Sequence, residues 1–462
     1  MVRLFKHYVP NAVLLLGVLD FALLLIAAEG GWRVRAWQIG MAPGGLHTRI
    51  PQLLSFAVPL QIAMVAVGAY GADTIRSLRV ATSRLMVAVS LGILLLSVIF
   101  FLVPAITFWR SNLFYAMLLS IAMLFALRLA AGRTIGGDVL RRRVVVLGAG
   151  ARAARIAALA ERASANFSVI DYIAMNDGEV AVGRARRRDT VASLPDHVLK
   201  MRASEVVLAM EERRNALPLN DLLRIKTTGV MVCDISTFIE RETGRVDLAS
   251  VNPSWLIFSD GFSSGQMLNA AAKRSFDIAV SLILLVVTAP LLMLVAIAIR
   301  LETPGPALYR QRRVGLHNEE FVMMKLRSMR EDAECAGGAV WTSERDPRIT
   351  RIGQLIRKIR FDELPQCWSV LTGDMSFVGP RPERPEFVAG LERELPFYAE
   401  RHMVKPGITG WAQINYPYGA SVEDARHKLE YDLYYAKNYS PFLDLLILIQ
   451  TLRVVLWPQG AR

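Results

Sequence analysis

Cysteine and histidine are scarce in this chain, with three and six in 462 residues. Cys233, Cys335 and Cys367 are odd in number and far apart in sequence, which excludes a disulfide framework and any cysteine-based zinc or redox signature. His317, His402 and His427 show no metal-ligand spacing. Charge is thin as well, at 21% of residues against 53% hydrophobic ones. A mean hydropathy of +0.33 excludes a wholly soluble chain. The net charge of +13 is uneven: residues 1–140 carry 11 basic and 4 acidic side chains, and residues 269–462 carry 25 and 22. The excess sits beside the apolar runs, as anchoring to anionic lipid requires, so no nucleic-acid partner is expected. The soluble parts are expected in a reducing cytoplasm.

Four apolar runs occupy the first third: Val9 to Ala28, interrupted by Asp20, then Ile50 to Ala72, Leu85 to Trp109 and Ser111 to Leu127. Each approaches the roughly 20 residues that cross about 30 Å of hydrocarbon as a helix. A cleaved leader is the competing reading of the first run, because Arg3 and Lys6 precede it. Three further spans and the lack of a small-x-small cleavage site speak against that. Arg3, Lys6, Arg76, Arg79, Arg84, Arg128, Arg133 and Arg141 to Arg143 fall on one side, against Arg33, Arg35, Arg49 and Arg110 on the other. The amino terminus and everything after the fourth helix are therefore expected to face the cytoplasm. Asp20 in mid-span reads as a helix-packing contact or as part of a substrate path.

A fifth apolar run, Ile278 to Ile299, is long enough to cross but has cations at both ends and Pro290 inside. Crossing would export residues 301–440, so a kinked, re-entrant helix 278–299 that dips into the inner leaflet and returns is expected.

From Arg143 the pattern becomes Val144-Val145-Val146-Leu147, then Gly148-Ala149-Gly150-Ala151-Arg152-Ala153, then an amphipathic stretch. A buried strand, a glycine-rich turn and a helix start resemble a dinucleotide-binding fingerprint, with Asp171 as the candidate ribose-binding acid. Glu205 to Met210 and Val230 to Cys233 read as further strands of an open α/β sheet. A working nucleotide site and a regulatory or dimerising relic both fit, and no proton-transfer residue accompanies the glycine turn.

The last third is dense in cations within short loops: Tyr309-Arg310-Gln311-Arg312-Arg313-Val314-Gly315, Lys325-Leu326-Arg327-Ser328-Met329, Arg357-Lys358-Ile359-Arg360-Phe361-Asp362-Glu363-Leu364-Pro365-Gln366, and Val378-Gly379-Pro380-Arg381-Pro382-Glu383. Separated cations around one adjacent carboxylate pair suit a polyphosphate substrate. A carboxylate can attack a phosphoryl group while its neighbour holds Mg2+. A plain surface helix with an ordinary Asp-Glu step accounts for the same spacing.

Lys273 to the carboxy terminus resembles the monotopic phosphoglycosyl transferases, bacterial enzymes that load a sugar phosphate onto a polyprenyl phosphate. The chain as a whole is similar to their large exopolysaccharide-associated members, in particular the exosortase-linked ones, with Arg241-Glu242-Thr243-Gly244 and Asn252 to Gly261 as accessory matches. The resemblance implies a membrane α plus α/β architecture. Residues 1–135 would form a four-helix transmembrane part, 141–240 a Rossmann-like domain and 241–270 a linker. Residues 271–462 would form an α-rich monotopic catalytic domain with the re-entrant helix. It further implies that Asp362 attacks the sugar-bearing phosphate of a UDP-sugar, releasing UMP, and that undecaprenyl phosphate collects the sugar phosphate. Glu363, with Asp362, would bind Mg2+. Lys325, Arg327, Arg360 and Arg381 would contact phosphates, with Asp332, Arg348, Gln366 and Asp432 as weaker candidates.

The family's membrane hairpin usually carries Ser-Pro where this chain has Ala289-Pro290, with Thr288 as an alternative hydroxyl. The expected location is the bacterial inner membrane, site facing the cytoplasm, with membrane lipid as a partner and a homodimer left open. The sugar is not encoded in any motif. Tyr431, Tyr434, Tyr435 and Tyr439 are expected at the headgroup boundary, and Leu443 to Leu456 as an interfacial tail or a core helix. Rival functions are a nucleotide-sugar oxidoreductase using Gly148 to Asp171, and a non-enzymatic transporter built on the four helices.

Overall fold

The computed structural model of the chain describes residues 2–4, 7–9, 11–42, 44–71, 74, 78–134, 141–162, 165–175, 181–211, 217–249, 251, 267–330, 348–417, 419 and 421–456. They fall into two compact units that divide between Thr243 and Gly244.

The first unit begins with four helices, α1 (Asn11–Gln38), α2 (Ile50–Ala66), α3 (Leu78–Leu102) and α4 (Arg110–Thr134), each long and apolar enough to cross a membrane, α2 together with the turn Leu46–Arg49 that leads into it. Apolar runs of this length become helices because hydrocarbon offers backbone N–H and C=O groups no other partner. α1 runs on past Ala28 to Gln38, since Glu29 is paired with Arg33 at 2.8 Å and with Arg49 at 2.7 Å. α1 and α4 pack through small residues, with Ala27, Ala28, Ala116 and Ser120 fully buried, as close approach of helices in lipid requires. Asp20 is fully buried too. Arg128 reaches it with two nitrogens at 3.2 and 2.7 Å, Tyr70 donates to it at 2.8 Å, and Gln61 donates to Tyr70 at 2.8 Å. The Asp20 carboxylate thus ties α1 to α4, which is the helix-packing reading.

The same unit continues into a five-stranded parallel sheet made of β1 (Arg142–Leu147), β2 (Phe167–Ala174), β3 (Ala185–Arg187), β4 (Glu205–Leu208) and β5 (Met231–Asp234), in the order β3-β2-β1-β4-β5. Its helices are α5 (Ala151–Ala160), α6 (Leu194–Lys200), α7 (Leu219–Thr227) and α8 (Ile235–Thr243). Successive residues of β1 serve opposite faces. Val144 and Val146 join Ile156 and Phe238 in one apolar cluster, while Val145 and Leu147 join Leu194, Val198 and Ile225 in another. A strand buried on both faces reads as an unbroken apolar run.

Three features bear on the resemblance to a dinucleotide fingerprint. Gly148 has φ +121°, and a Cβ there would lie 2.7 Å from the Ala209 backbone, so the turns after β1 and β4 touch where the strand order reverses. The first amide of α5, Ala151 N, donates to the Glu211 carboxylate at 3.1 Å. Asp171, expected as the ribose acid, lies within β2 opposite Val145 rather than at the strand's carboxyl end. It is paired there with His197 at 2.8 Å and Arg186 at 3.0 Å.

The segment expected as a linker, 241–270, is structured at its start. Arg241 joins Glu205 at 2.8 Å in a cluster with Arg142 and Glu242. In the second unit Gly244 O accepts the Trp411 indole at 2.7 Å, and Val246 and Leu248 are core residues. Asn252 to Gly261 lie outside the described residues.

The second unit opens with α9 (Met267–Glu302), a single helix of 36 residues that contains Pro290. Thr288 Oγ1 donates to Leu284 O at 2.6 Å, the hydroxyl contact expected beside the proline. There follow a hairpin, β6 (Leu308–Val314) and β7 (Glu320–Leu326), then α10 (Arg351–Lys358) and α11 (Gln366–Thr372). A short parallel pair, β8 (Ser376–Val378) and β9 (Gly407–Thr409), and the helices α12 (Pro385–Glu394), α13 (Trp411–Asn415), α14 (Val422–Asn438) and α15 (Pro441–Leu456) complete it. Tyr434 and Tyr435 are core residues and not boundary ones, Tyr435 donating to Val378 O at 2.9 Å and Asp444 at 2.7 Å. Leu443 and Ile447 of α15 are also fully buried in this core.

Both ends of α9 are fastened to this unit. Near its start, Lys273 Nζ meets Asp444 at 2.5 Å, Arg274 donates to the carbonyls of Val370 and Leu371 at 2.6 and 2.8 Å, and Asp277 accepts from Phe377 N at 3.1 Å. Near its end, Ile299 is buried with Leu326 and Ile356. Between them Ile283, Val286, Val287, Met293 and Leu294 are exposed.

Candidate active site

Three chain segments converge. The period-two alternation of the hairpin turns Tyr309, Gln311 and Arg313 of β6 inward and leaves Leu308, Arg310 and Arg312 exposed. Lys325 of β7 sits directly across from Tyr309.

The second segment is α10 together with the turn at its carboxyl end. Thr350 caps α10 by accepting from Gly353 N at 2.9 Å. Gly353 is required by proximity, since a Cβ there would fall 2.0 Å from Ser328 O. After Lys358 the chain turns at Arg360, a non-glycine residue with φ +55°, into the short 3-10 turn Phe361–Glu363. The third segment is the loop after β8, which carries Arg381.

These segments meet at Glu363. Arg381 NH2 donates to Glu363 Oε1 at 2.8 Å, and Lys325 Nζ lies 3.6 Å from the same oxygen. Burial alone would raise the Glu363 carboxyl, but Arg381, Lys325 and Arg360 outweigh it and hold the group well below the ordinary carboxylate range. Asp362 is displaced the opposite way: burial and the neighbouring Glu363 raise it, against Lys325 and Arg357. Two adjacent carboxyls pushed apart in this manner take different roles in one site. Burial, reinforced by Arg381 and Arg313 against the pull of Glu363, lowers Lys325 to about 8. The cleft therefore holds an excess of closely spaced positive charge that an entering polyphosphate would relieve.

Lys325, Arg360, Asp362, Glu363 and Arg381 are thus brought together. Arg327 is not part of the group. Its guanidinium is buried and donates to Pro304 O at 2.6 Å and to Thr303 O and Oγ1 at 2.8 and 3.0 Å, so it secures the chain leaving α9. Asp432 is bound by Arg401 at 2.7 Å, and Arg401 also donates to Arg381 O at 2.9 Å, so this pair supports the loop that carries Arg381. Gln366 is buried at the start of α11 with no partner for its Nε2 among the described residues. The backbone carbonyl of Arg348 accepts from Arg330 N at 3.0 Å. Asp332 lies outside the described residues. His402 is buried beside Arg401, which together lower it to about 3, and it contacts Asn318 at the hairpin turn.

Sequence reading did not single out Arg313, Gln311 and Glu383. Arg313 donates to Gln311 Oε1 at 2.6 Å and to Pro382 O at 3.0 Å, and lies 3.6 Å from Glu383. The signal was the alternation of residues 309, 311 and 313, which marks one face of a strand.

Among the described residues there is no group of three or more His, Cys, Asp or Glu placed to hold a metal. Mg2+ needs less than that, because it takes one or two carboxylates and keeps waters and substrate phosphates. The adjacent oxygen donors of Asp362 and Glu363 fit it, the ion pairs of Glu363 with Lys325 and Arg381 both falling on Oε1.

The profile of the bacterial sugar transferase family matches residues 268–458, which include this whole site. Over 241 residues the chain is 43% identical to a UDP-N-acetylgalactosamine-undecaprenyl-phosphate N-acetylgalactosaminephosphotransferase of Aeromonas hydrophila, covering 52% of this chain and 56% of that protein. It is 45% identical over 194 residues to an undecaprenyl-phosphate glucose phosphotransferase of Komagataeibacter xylinus, covering 41% of this chain and 36% of the relative. It is 42% identical over 189 residues to the exopolysaccharide production protein PSS of Rhizobium leguminosarum bv. phaseoli, 40% of this chain and 94% of that one. The chain spans about half the length, or less, of the first two of these relatives. Covering nearly all of the third at this level of identity, and carrying the site within the matched region, the chain belongs to the bacterial sugar transferase family.

Proposed function

We propose that the protein transfers a sugar 1-phosphate from a UDP-sugar to undecaprenyl phosphate and so begins exopolysaccharide assembly. The observation that carries this reading is the pairing of Glu363 with Arg381 and Lys325 directly beside Asp362, inside the matched region. An Asp362 oxygen attacks the sugar-bearing phosphorus, the bond to the other phosphate breaks, and UMP leaves with the bonding electrons. An oxygen of undecaprenyl phosphate then attacks the same phosphorus and frees the carboxylate, leaving a lipid-linked sugar diphosphate. Lys325 and Arg381 face the charge that gathers on the phosphate oxygens. Mg2+ held by Asp362 and Glu363 would offset further phosphate charge.

Membrane placement belongs to the same reading. α9 is about 54 Å long if straight, yet residues at both its ends bind one compact body, which supports a re-entrant helix over one that crosses. The basic residues flanking α1 to α4 support a site on the cytoplasmic face of the inner membrane. The relatives act on N-acetylgalactosamine and glucose donors by name, so those two UDP-sugars and their epimers form the first donor screen.

The test is incubation of purified protein in lipid with labelled UDP-sugar, Mg2+ and undecaprenyl phosphate. UMP release with a lipid-linked product supports the proposal. Cofactor reduction without lipid product, or sugar uptake into vesicles without turnover, would replace it.

A further inference from the structure

Glu302 is the last residue of α9, and its carboxylate leaves that helix to cap another. Oε1 accepts from Arg351 N at 2.7 Å and Oε2 from Ile352 N at 3.1 Å, so the first two amides of α10 are held by the end of the apolar helix. A carboxylate is favoured at a helix amino terminus both by the free N–H groups and by the helix dipole. From the other side Arg327 grips the carbonyls of Thr303 and Pro304, just beyond Glu302, and Arg327 follows Lys325 by two residues. Ile299, Leu326 and Ile356 fill the space between the three elements. Both cleft-forming segments, the strand with Lys325 and the helix leading to Asp362 and Glu363, are thereby referenced to one point, the end of α9.

We propose that Glu302 is a positioning residue that couples the seat of α9 to the placement of the Asp362–Glu363 pair. This rests on the transferase reading above. α10 is only eight residues long, too short to fix its own position, so the bonds from Glu302 set where its amino terminus sits relative to α9. If its amino terminus shifts, the turn at Arg360 carries the displacement to the carboxylates. A small displacement there impairs the chemical step and leaves donor binding by the hairpin and Arg381 intact.

The experiment compares Glu302→Gln with Thr350→Ala in reconstituted full-length protein. The threonine change removes the other side-chain cap of the same helix end, at Gly353 N, without a link to α9. Glu302→Gln is expected to lower kcat about tenfold with KM for the UDP-sugar within about twofold, whereas Thr350→Ala keeps kcat within about twofold at a similar loss of thermal stability. Backbone amide exchange of residues 359–364, read without substrate, is expected to quicken in Glu302→Gln alone. Equal losses of kcat in the two variants, or unchanged kcat and exchange in Glu302→Gln, overturn the proposal. Wild-type protein that makes no lipid-linked sugar overturns the transferase reading instead, and the exchange comparison still decides the coupling.

Discussion

Arg381 donates to Glu363 Oε1 at 2.8 Å from 18 residues further along the chain, so the carboxylate next to Asp362 is matched to a cation that a separate loop delivers. Arg381→Ala removes the largest of the charges holding Glu363 ionised and leaves a buried carboxylate with only Lys325 and the weaker pull of Arg360. Turnover should fall about a hundredfold, a loss typical of removing one preorganised charge from a phosphate-handling site. The acid limb of the pH–rate profile should move up with it. Initial rates of lipid-product formation across pH check both effects.

Replacing the oxygen proposed to attack gives the sharper outcome. Asp362→Asn should reduce lipid-product formation by at least about a thousandfold, since an amide is no nucleophile at phosphorus. The variant should keep the wild-type melting profile, because the burial that raises Asp362 favours a neutral side chain there. Trapping of labelled sugar phosphate on the protein in the absence of lipid acceptor should vanish in the same variant.

The pH dependence has two limbs of definite sign. As the proposed nucleophile Asp362 must be ionised, and burial and Glu363 raise it above the ordinary aspartate value, so activity should climb through the acid range later than a free carboxylate would allow. Lys325 must be charged to meet phosphate, and its group is lowered to about 8, so activity should decline as pH rises through about 8. A bell-shaped profile of kcat/KM reports these groups in the free enzyme. Lys325→Arg should carry the alkaline limb upward, because a guanidinium stays charged throughout.

In the four-helix part, Asp20 and Arg128 are each under 5% exposed and satisfy one another. Removing one member, as in Asp20→Ala or Arg128→Met, should destabilise the bundle by about 3–5 kcal/mol, while the paired change Asp20→Leu with Arg128→Met should recover most of that loss. Thermal unfolding in a fixed detergent gives the comparison.

The middle domain should not be stabilised by nicotinamide or flavin dinucleotides. Glu211 already occupies the first amide of α5, and Asp171 is engaged by His197 and Arg186. Thermal-shift titration with each dinucleotide checks this, a rise in melting temperature counting against the reading.

The carboxylate pair and most of its cations were legible because they lie in short contiguous blocks, each crowded beyond what packing explains. Arg327 stands apart from the other cations for a physical reason: a guanidinium donates as readily to carbonyls as to phosphates, and only the position of Thr303 and Pro304 reveals which. Asp171 was misplaced because spacing from a glycine turn does not tell where its strand ends, and β2 runs on to Ala174. The strand core at Val144 to Leu147 and the helices at the amino terminus were plain from apolar runs alone. Tyr435 was expected at a lipid boundary, whereas its ring completes the core and its hydroxyl bonds Asp444, a pairing that local sequence does not encode.

The bond from Lys273 to Asp444 joins residues 171 positions apart. During synthesis the apolar stretch of α9 emerges long before the residue that will hold its base. Under the re-entrant placement proposed above, whatever keeps it from being passed through as an ordinary span acts on a half-made protein, and truncations ahead of residue 444 should leave that helix free to cross instead.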